Sequence, residues 1–309
     1  MLKLTFGHQS EAHVMKHHVY GCAAVIMFCL GVVPVTQAEL KPISDQTMGE
    51  VTGQAFMQVD NLADGVHDFT RMTLGVDVET RVNIDDVKVG EIDSGSDFAA
   101  THLALGHIAR QDGVQYNGQD YMQGETVPFE ASKPFIELAE DASGLAGFRM
   151  GFGQARGSVS SLTTSLSGNI GLKLRDSAGV VHDAALFDAS NQATNYRATQ
   201  IGIADSANPA TCSECASLSK VQSLFVGTAQ DDGAGGTVTG FTDDFFIGFQ
   251  RDDAGVKWQS PDGANVINAG KGVFINLPTS MTVDMSQLTG SSGLPRLQTH
   301  QTDMGTQLF

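Results

Sequence analysis

Basic residues are scarce in this chain: 18 Lys and Arg stand against 35 Asp and Glu, a formal net charge of −17. Nucleic-acid phosphates are held by a basic face, so this balance excludes nucleic acid as a partner. It also argues against electrostatic attachment to anionic lipid. Polar aromatics are few, with 1 Trp and 4 Tyr, too few for the aromatic girdles of an outer-membrane barrel. No apolar run reaches the roughly 20 residues of a spanning helix. Catalytic signatures are missing as well: no Gly-x-Ser-x-Gly elbow, no GxxxxGK[ST] phosphate loop and no HExxH zinc motif. The expectation is a protein without enzymatic activity and without a cofactor. Glycine is the abundant residue, 35 in all, but it lacks the every-third-residue period of collagen.

The longest apolar run, Cys22–Val33, follows the basic start Met15-Lys16-His17-His18 and leads into Pro34-Val35-Thr36-Gln37-Ala38. Basic start, short apolar centre and small-residue end make a secretory signal peptide, cleaved between Ala38 and Glu39. Residues 1–14 do not resemble the start of such a signal, and Met15 reads as the initiator. Cleavage removes Lys3, Lys16 and Glu11, leaving a more acidic chain, and it removes Cys22 and Cys29. Cys212 and Cys215 remain, three apart, and in an oxidising compartment they are expected to close a small structural disulfide loop. A redox centre would open a helix after a strand, whereas Ala204–Pro209 reads as loop. The destination is periplasm, outer membrane or cell surface.

Alternation of apolar and polar residues dominates residues 39–289. It is clearest from Leu74 to Ile84 (LGVDVETRVNI), which reads as one long strand with one dry face and one wet face. Further strands are expected at 135–138, 148–155, 170–174, 184–187, 198–203, 221–226, 245–250, 256–259 and 273–277. Asp-Gly and Asn-Gly turn signals lie between some of them. The fold class is mostly β: an antiparallel β-sandwich or a curved, solenoid-like sheet with long amphipathic strands and little helix. Residues 44–51 predict a turn or two of helix, residues 97–110 are ambiguous between helix and strand, and residues 231–240 predict a mobile Gly-rich loop. Residues 290–309 predict a flexible, poorly packed tail. A faint internal echo links Phe69-Thr-Arg71-Met72 to Phe148-Arg149-Met150 and Phe246-Ile247-Gly248-Phe249.

The segment Leu40-Lys-Pro-Ile-Ser-Asp45 through Val51-Thr52-Gly53-Gln54-Ala55 resembles a motif that follows the signal peptide in a family of exported gammaproteobacterial proteins of uncharacterised function. Some of these carry the label pilus system protein FilA. Residues 68–90, 134–140 and 148–171 are similar to the same group. The resemblance implies an envelope location and a pilus or outer-membrane association, and it brings no catalytic residues.

Candidate chemistry is thin. His67, His102, His107, His182 and His300 remain after cleavage, and the five-residue spacing of His102 and His107 suits neither one helical face nor one strand face. Acidic pairs occur at Asp60–Asp68, Asp85-Asp86, Asp231-Asp232, Asp243-Asp244 and Asp252-Asp253; Asp60–Asp68 is the best candidate for calcium, though turn chemistry explains it better. The leading expectation is a structural or interaction protein of the envelope, with other envelope proteins or its own copies as partners. The alternative is a binding module that holds a lipid or other apolar ligand on a curved sheet; a hydrolase with an unrecognised site stands third. A filled core favours the first reading and an open apolar groove the second. Intact-mass measurement of protein taken from the cell envelope should place the mature terminus at Glu39; a mass that retains residues 15–38 would show the apolar run kept as an anchor.

Overall fold

A computed structural model of the chain describes residues 56–300, except Asp252. The export signal, the post-signal motif, the helical turn expected at 44–51 and residues 301–309 lie outside the described residues. Alternation persists from Leu74 to Ile84, but the single strand does not. β1 (Met57–Ala63) and β2 (Asp68–Leu74) form a hairpin, β3 (Asp77–Thr80) continues in the same sheet, and after Arg81 β4 (Val82–Ile92) enters a second sheet. Residues 97–110 resolve as strand, within β5 (Gly95–Leu105) and a short two-residue strand beyond it. The Ala and Leu of this segment favour helix weakly, but ladders to β4 on one side and to the long strand Gly144–Leu166 on the other override that preference.

The next strands are β6 (Phe129–Asp141), β7 (Gly144–Leu166), β8 (Gly168–Ile170) and β9 (Ser223–Val226). They are followed by β10 (Phe246–Gln250), β11 (Val256–Gln259), β12 (Val266–Ala269) and β13 (Gly272–Leu277). The first sheet has the order β1-β2-β6-β7-β10-β13-β8, antiparallel except for the parallel pair β8–β13. The second has the order β4-β5-β7-β9. The fold is therefore mostly β with open sheets and no closed barrel.

β7 belongs to both sheets. Its residues up to Arg156 pair with β6, and those from Gly157 onward pair with β9 and β5. The changeover is at Gly157, whose φ of +147° lies where side-chain-bearing residues are disfavoured. A Cβ there would stand 2.6 Å from Phe129 Cδ2 and 2.9 Å from Phe129 Cα, so the close approach also requires glycine.

One face of the first sheet is filled. The β11–β12 hairpin lies over it, and Trp258, fully buried, packs with Phe69, Ala139, Phe246 and Phe274. Beneath the indole runs a buried ion network. Glu137 of β6 accepts from Arg71 Nε of β2 at 3.2 Å and from Arg149 Nε of β7 at 2.5 Å. Both guanidinium groups also donate to the Gln259 carbonyl, and Arg149 stacks between Phe135, Phe246 and Trp258. Burial pulls Arg149 down to about 10, against the opposing pull of Glu137. The sequence echo has its meaning here. Arg71 and Arg149 flank Glu137 on one face, while the next residues, Met72 and Met150, flank Ile136 on the other.

A second core joins Phe98, Leu166, Leu172, Leu174, Ile201 and Leu218 with Val283 and Leu288. The Gly-rich stretch 231–240 is partly ordered as a hairpin between Thr228–Asp231 and Thr237–Gly240. The tail expected to pack loosely is tied down as far as His300. Leu294 N donates to the Lys220 carbonyl at 2.7 Å, Leu297 N to Ser223 Oγ at 2.9 Å, and the Gln298 carbonyl accepts from Ile108 N at 2.8 Å. Polar tail residues pack here because their backbone groups find partners at Lys220, Ser223 and Ile108.

Removing one partner from a buried charge network strands the others. Glu137→Gln should therefore cost on the order of 3–5 kcal/mol, read as a lowered urea midpoint, while a surface change such as Glu79→Gln should leave the midpoint within error.

Candidate ligand cleft

The other face of the first sheet carries an apolar row across its width. One cross-strand row runs Val59–Met72–Ile136–Met150–Ile247–Ile275 through β1, β2, β6, β7, β10 and β13. Beside it Met57 pairs with Leu74 and Pro134 with Phe152, whose ring stacks on Phe245 at 6.1 Å and 12°. The row on its other side runs Asn61–Thr70–Leu138–Phe148–Phe249–Val273, polar in β1 and β2 and apolar beyond, with Phe148 and Phe249 stacked at 4.6 Å. Period-2 alternation in adjacent registered strands produces such rows.

The second sheet answers with its own rows, Val82–Leu105–Val159–Leu224 and Val89–Phe98–Leu166. Side chains of the two sheets meet in part, Phe98 and Leu166 with Ile247 and Ile275, and Leu105 and Val159 with Phe152 and Phe245, but they do not fill the whole space between as in a closed sandwich. They line a cavity of about 710 Å³, within the usual range of small-molecule sites. Two hydroxyl residues, Ser161 and Thr163, are the polar side chains of its wall; the rest is Met, Leu, Val, Ile, Phe, Pro and Gly. Exposure falls along the sheet, from 53% at Met57 through 45% at Ile136 and 40% at Met150 to 9% at Ile275. The cleft is thus open beside β1 and β2 and closed toward β13.

The residues singled out from the sequence are dispersed by comparison. Cys212 and Cys215 are joined as a disulfide, with Cα atoms 6.0 Å apart. They lie on the strand Cys212–Ser217, opposite the strand Gln200–Ala204, where a Cβ on Gly202 would meet Cys212 Sγ at 2.8 Å. Asp64 accepts from the backbone N–H groups of Val66 and His67 at 2.8 and 2.6 Å, so it closes a turn. Asp60 and Asn61 lie on β1, paired with Arg71 and Thr70. Among the described residues no group of three acidic, His or Cys side chains is arranged to hold a metal ion. Burial pushes the carboxyls of Asp243 and Asp244 up, while the backbone N–H of Ala264 holds Asp262 down.

The histidines have separate partners. His182 meets Asp176 at 2.9 Å, His67 lies 3.6 Å from Asp64, and the His102 carbonyl accepts from Arg296. His300 Nδ1 lies 3.2 Å from Thr299 Oγ1. His107 Nδ1 lies 2.9 Å from Ser158 Oγ, the one Ser–His contact among the described residues. Ser158 is wholly buried and His107 packs against Tyr116 and Phe225, so the hydroxyl is sealed from any substrate. Comparison with known protein families, characterised proteins and solved structures finds no match to this chain.

The alternation places most of the cleft strands but neither β1 nor β2, because Asp60, Asp64 and Asp68 around their hairpin read as turn chemistry. The Arg-Met echo was the available signal that β2 and β7 flank one strand. Burial lowers the His107 pKa below its ordinary 6.5, so the folded state favours the neutral ring. The unfolded chain then binds more protons below about pH 6.5, and stability is lost as pH falls through that value. The urea midpoint should drop between pH 7.5 and 5.5 by more in the wild type than in His107→Gln; equal drops would mean that His107 contributes nothing.

Proposed function

We propose that this protein is an exported binding module that holds an apolar, lipid-like ligand between its two sheets. The observation that carries the reading is the charge-free cavity, lined from both sheets and open at one side. Large half-exposed apolar side chains such as Met57, Ile136 and Met150 are costly to leave in water at roughly 25 cal/mol per Å² of apolar surface, and a ligand would cover them. A filled sandwich, expected for a purely structural envelope protein, would have buried them. Export explains why such a carrier needs an acidic, soluble exterior.

An uncharged naphthylamine dye should bind the mature protein with a rise in fluorescence. Met150→Asp, a change at a half-exposed position, should weaken dye binding at least tenfold while keeping the wild-type circular dichroism. Equal binding by the two proteins would remove this reading.

One observation favours the second reading, association with envelope partners or self-assembly. β1 is an edge strand paired only with β2 among the described residues, and Phe56, Val59, Leu62 and Val66 are exposed on or beside it. Uncovered edges of this kind recruit other chains. Sedimentation velocity at rising concentration should reveal association that Val59→Lys abolishes; a monomer throughout would count against it.

A further inference from the structure

Three physical limits narrow the chemistry of the cleft's occupant. The first is charge. None of the side chains lining the cavity is ionisable, and the charged residues next to Met72, Ile136 and Met150, namely Arg71, Glu137 and Arg149, turn to the opposite face of the sheet. An ionised headgroup carried inside would find no counter-charge and would lose its hydration. With a chain of net charge −17, an anionic head gains nothing from the exterior either.

The second limit is hydrogen bonding. The backbone groups of β2, β6, β7, β10 and β13 are engaged in their own ladders, which leaves Ser161 and Thr163 as side-chain partners in the wall. An extended peptide brings one donor and one acceptor per residue and could not satisfy them there.

The third limit is shape. The apolar face spans six adjacent strands, and at about 4.8 Å per strand its length is roughly 24 Å. A cavity drawn out along that length is elongated, a shape that one extended hydrocarbon chain follows from end to end. Two chains side by side or a fused ring system are the occupants the test below sets against it. The exposure gradient gives the direction, since Met57 is half in water and Ile275 is sealed.

Resting on the cleft reading above, we infer that the occupant is a single unbranched acyl chain, threaded methyl-end toward β13. Its polar head stays in water beyond β1, and the protein grips the tail without reading the head.

The test is displacement of the uncharged dye from the full mature protein by lysophospholipids below their micelle concentrations. Matched choline and glycerol heads would be compared on chains of ten to sixteen carbons. Affinity should tighten roughly tenfold for every two methylenes until the cleft is full, and the two heads should agree within about threefold. Ile247→Trp, toward the closed end, should move the plateau to shorter chains for both heads. A tenfold preference for one head would overturn the inference while the cleft reading stands. So would tighter binding of a diacyl lipid or a sterol than of the single chain. If the dye binds only after residues 39–55 are removed, or only on dilution of a dimer, the occupant is the chain's own leading segment or a second copy, and the inference falls. If the dye never binds, the cleft reading fails first and this inference with it.

Discussion

Glu137 is the pivot of the first sheet. It is the single acid between two buried arginines, and those arginines lie on the strands to either side of its own. Three adjacent strands are thereby fixed in register by charge as well as by backbone ladders. Placing the arginines elsewhere would be expensive, because a guanidinium unpaired in the interior costs several kcal/mol. The network thus specifies which face of β2, β6 and β7 is the inner one. Period-2 geometry then forces every neighbouring side chain, Met72, Ile136 and Met150 among them, to the opposite face. The dry ion network and the apolar cleft are two sides of one registration.

The second constraint is covalent. β7 is shared by both sheets, so the walls of the cleft are two halves of one strand that bends at Gly157. The closed end follows from that shared strand together with β9, β10 and β13, which pair around it. The open end follows from β1 and β4, which are the outermost strands of their sheets and have no covalent reason to meet. Aperture at one side and closure at the other are therefore properties of topology, with side chains only setting the polarity of the space between.

Much of this was legible in the residues. Alternation predicted β strands at Phe135–Leu138, Phe148–Ala155 and Phe245–Gln250, all of which are present and longer than or near the expected bounds. Leu74–Ile84 alternates because its fragments each keep one apolar side, with Leu74, Val82 and Ile84 on the cleft wall, but alternation is blind to the change of sheet at Arg81, which is a matter of partners. β5 was ambiguous because Ala and Leu serve helix and strand alike, and only the ladders to β4 and β7 decide it. The pair Cys212–Cys215 was readable from spacing. The cavity was not, since a filled sandwich and an open one are written with the same alternating pattern; they differ in how far apart the facing rows stand.

The Arg-Met dipeptides place a thioether on the cleft wall at each strand beside Ile136, and Met57 adds another at the mouth. Thioether side chains conform to a flexible hydrocarbon better than branched ones do. They are also the apolar side chains that oxidants convert to polar sulfoxides. Met57 and Met150, 53% and 40% exposed, stand where such an oxidant arrives first. The proposed binding role is thus tied to the oxidative state of the surroundings: the same three sulfur atoms that make the wall adaptable also make it the part of the molecule that oxidation would render hydrophilic.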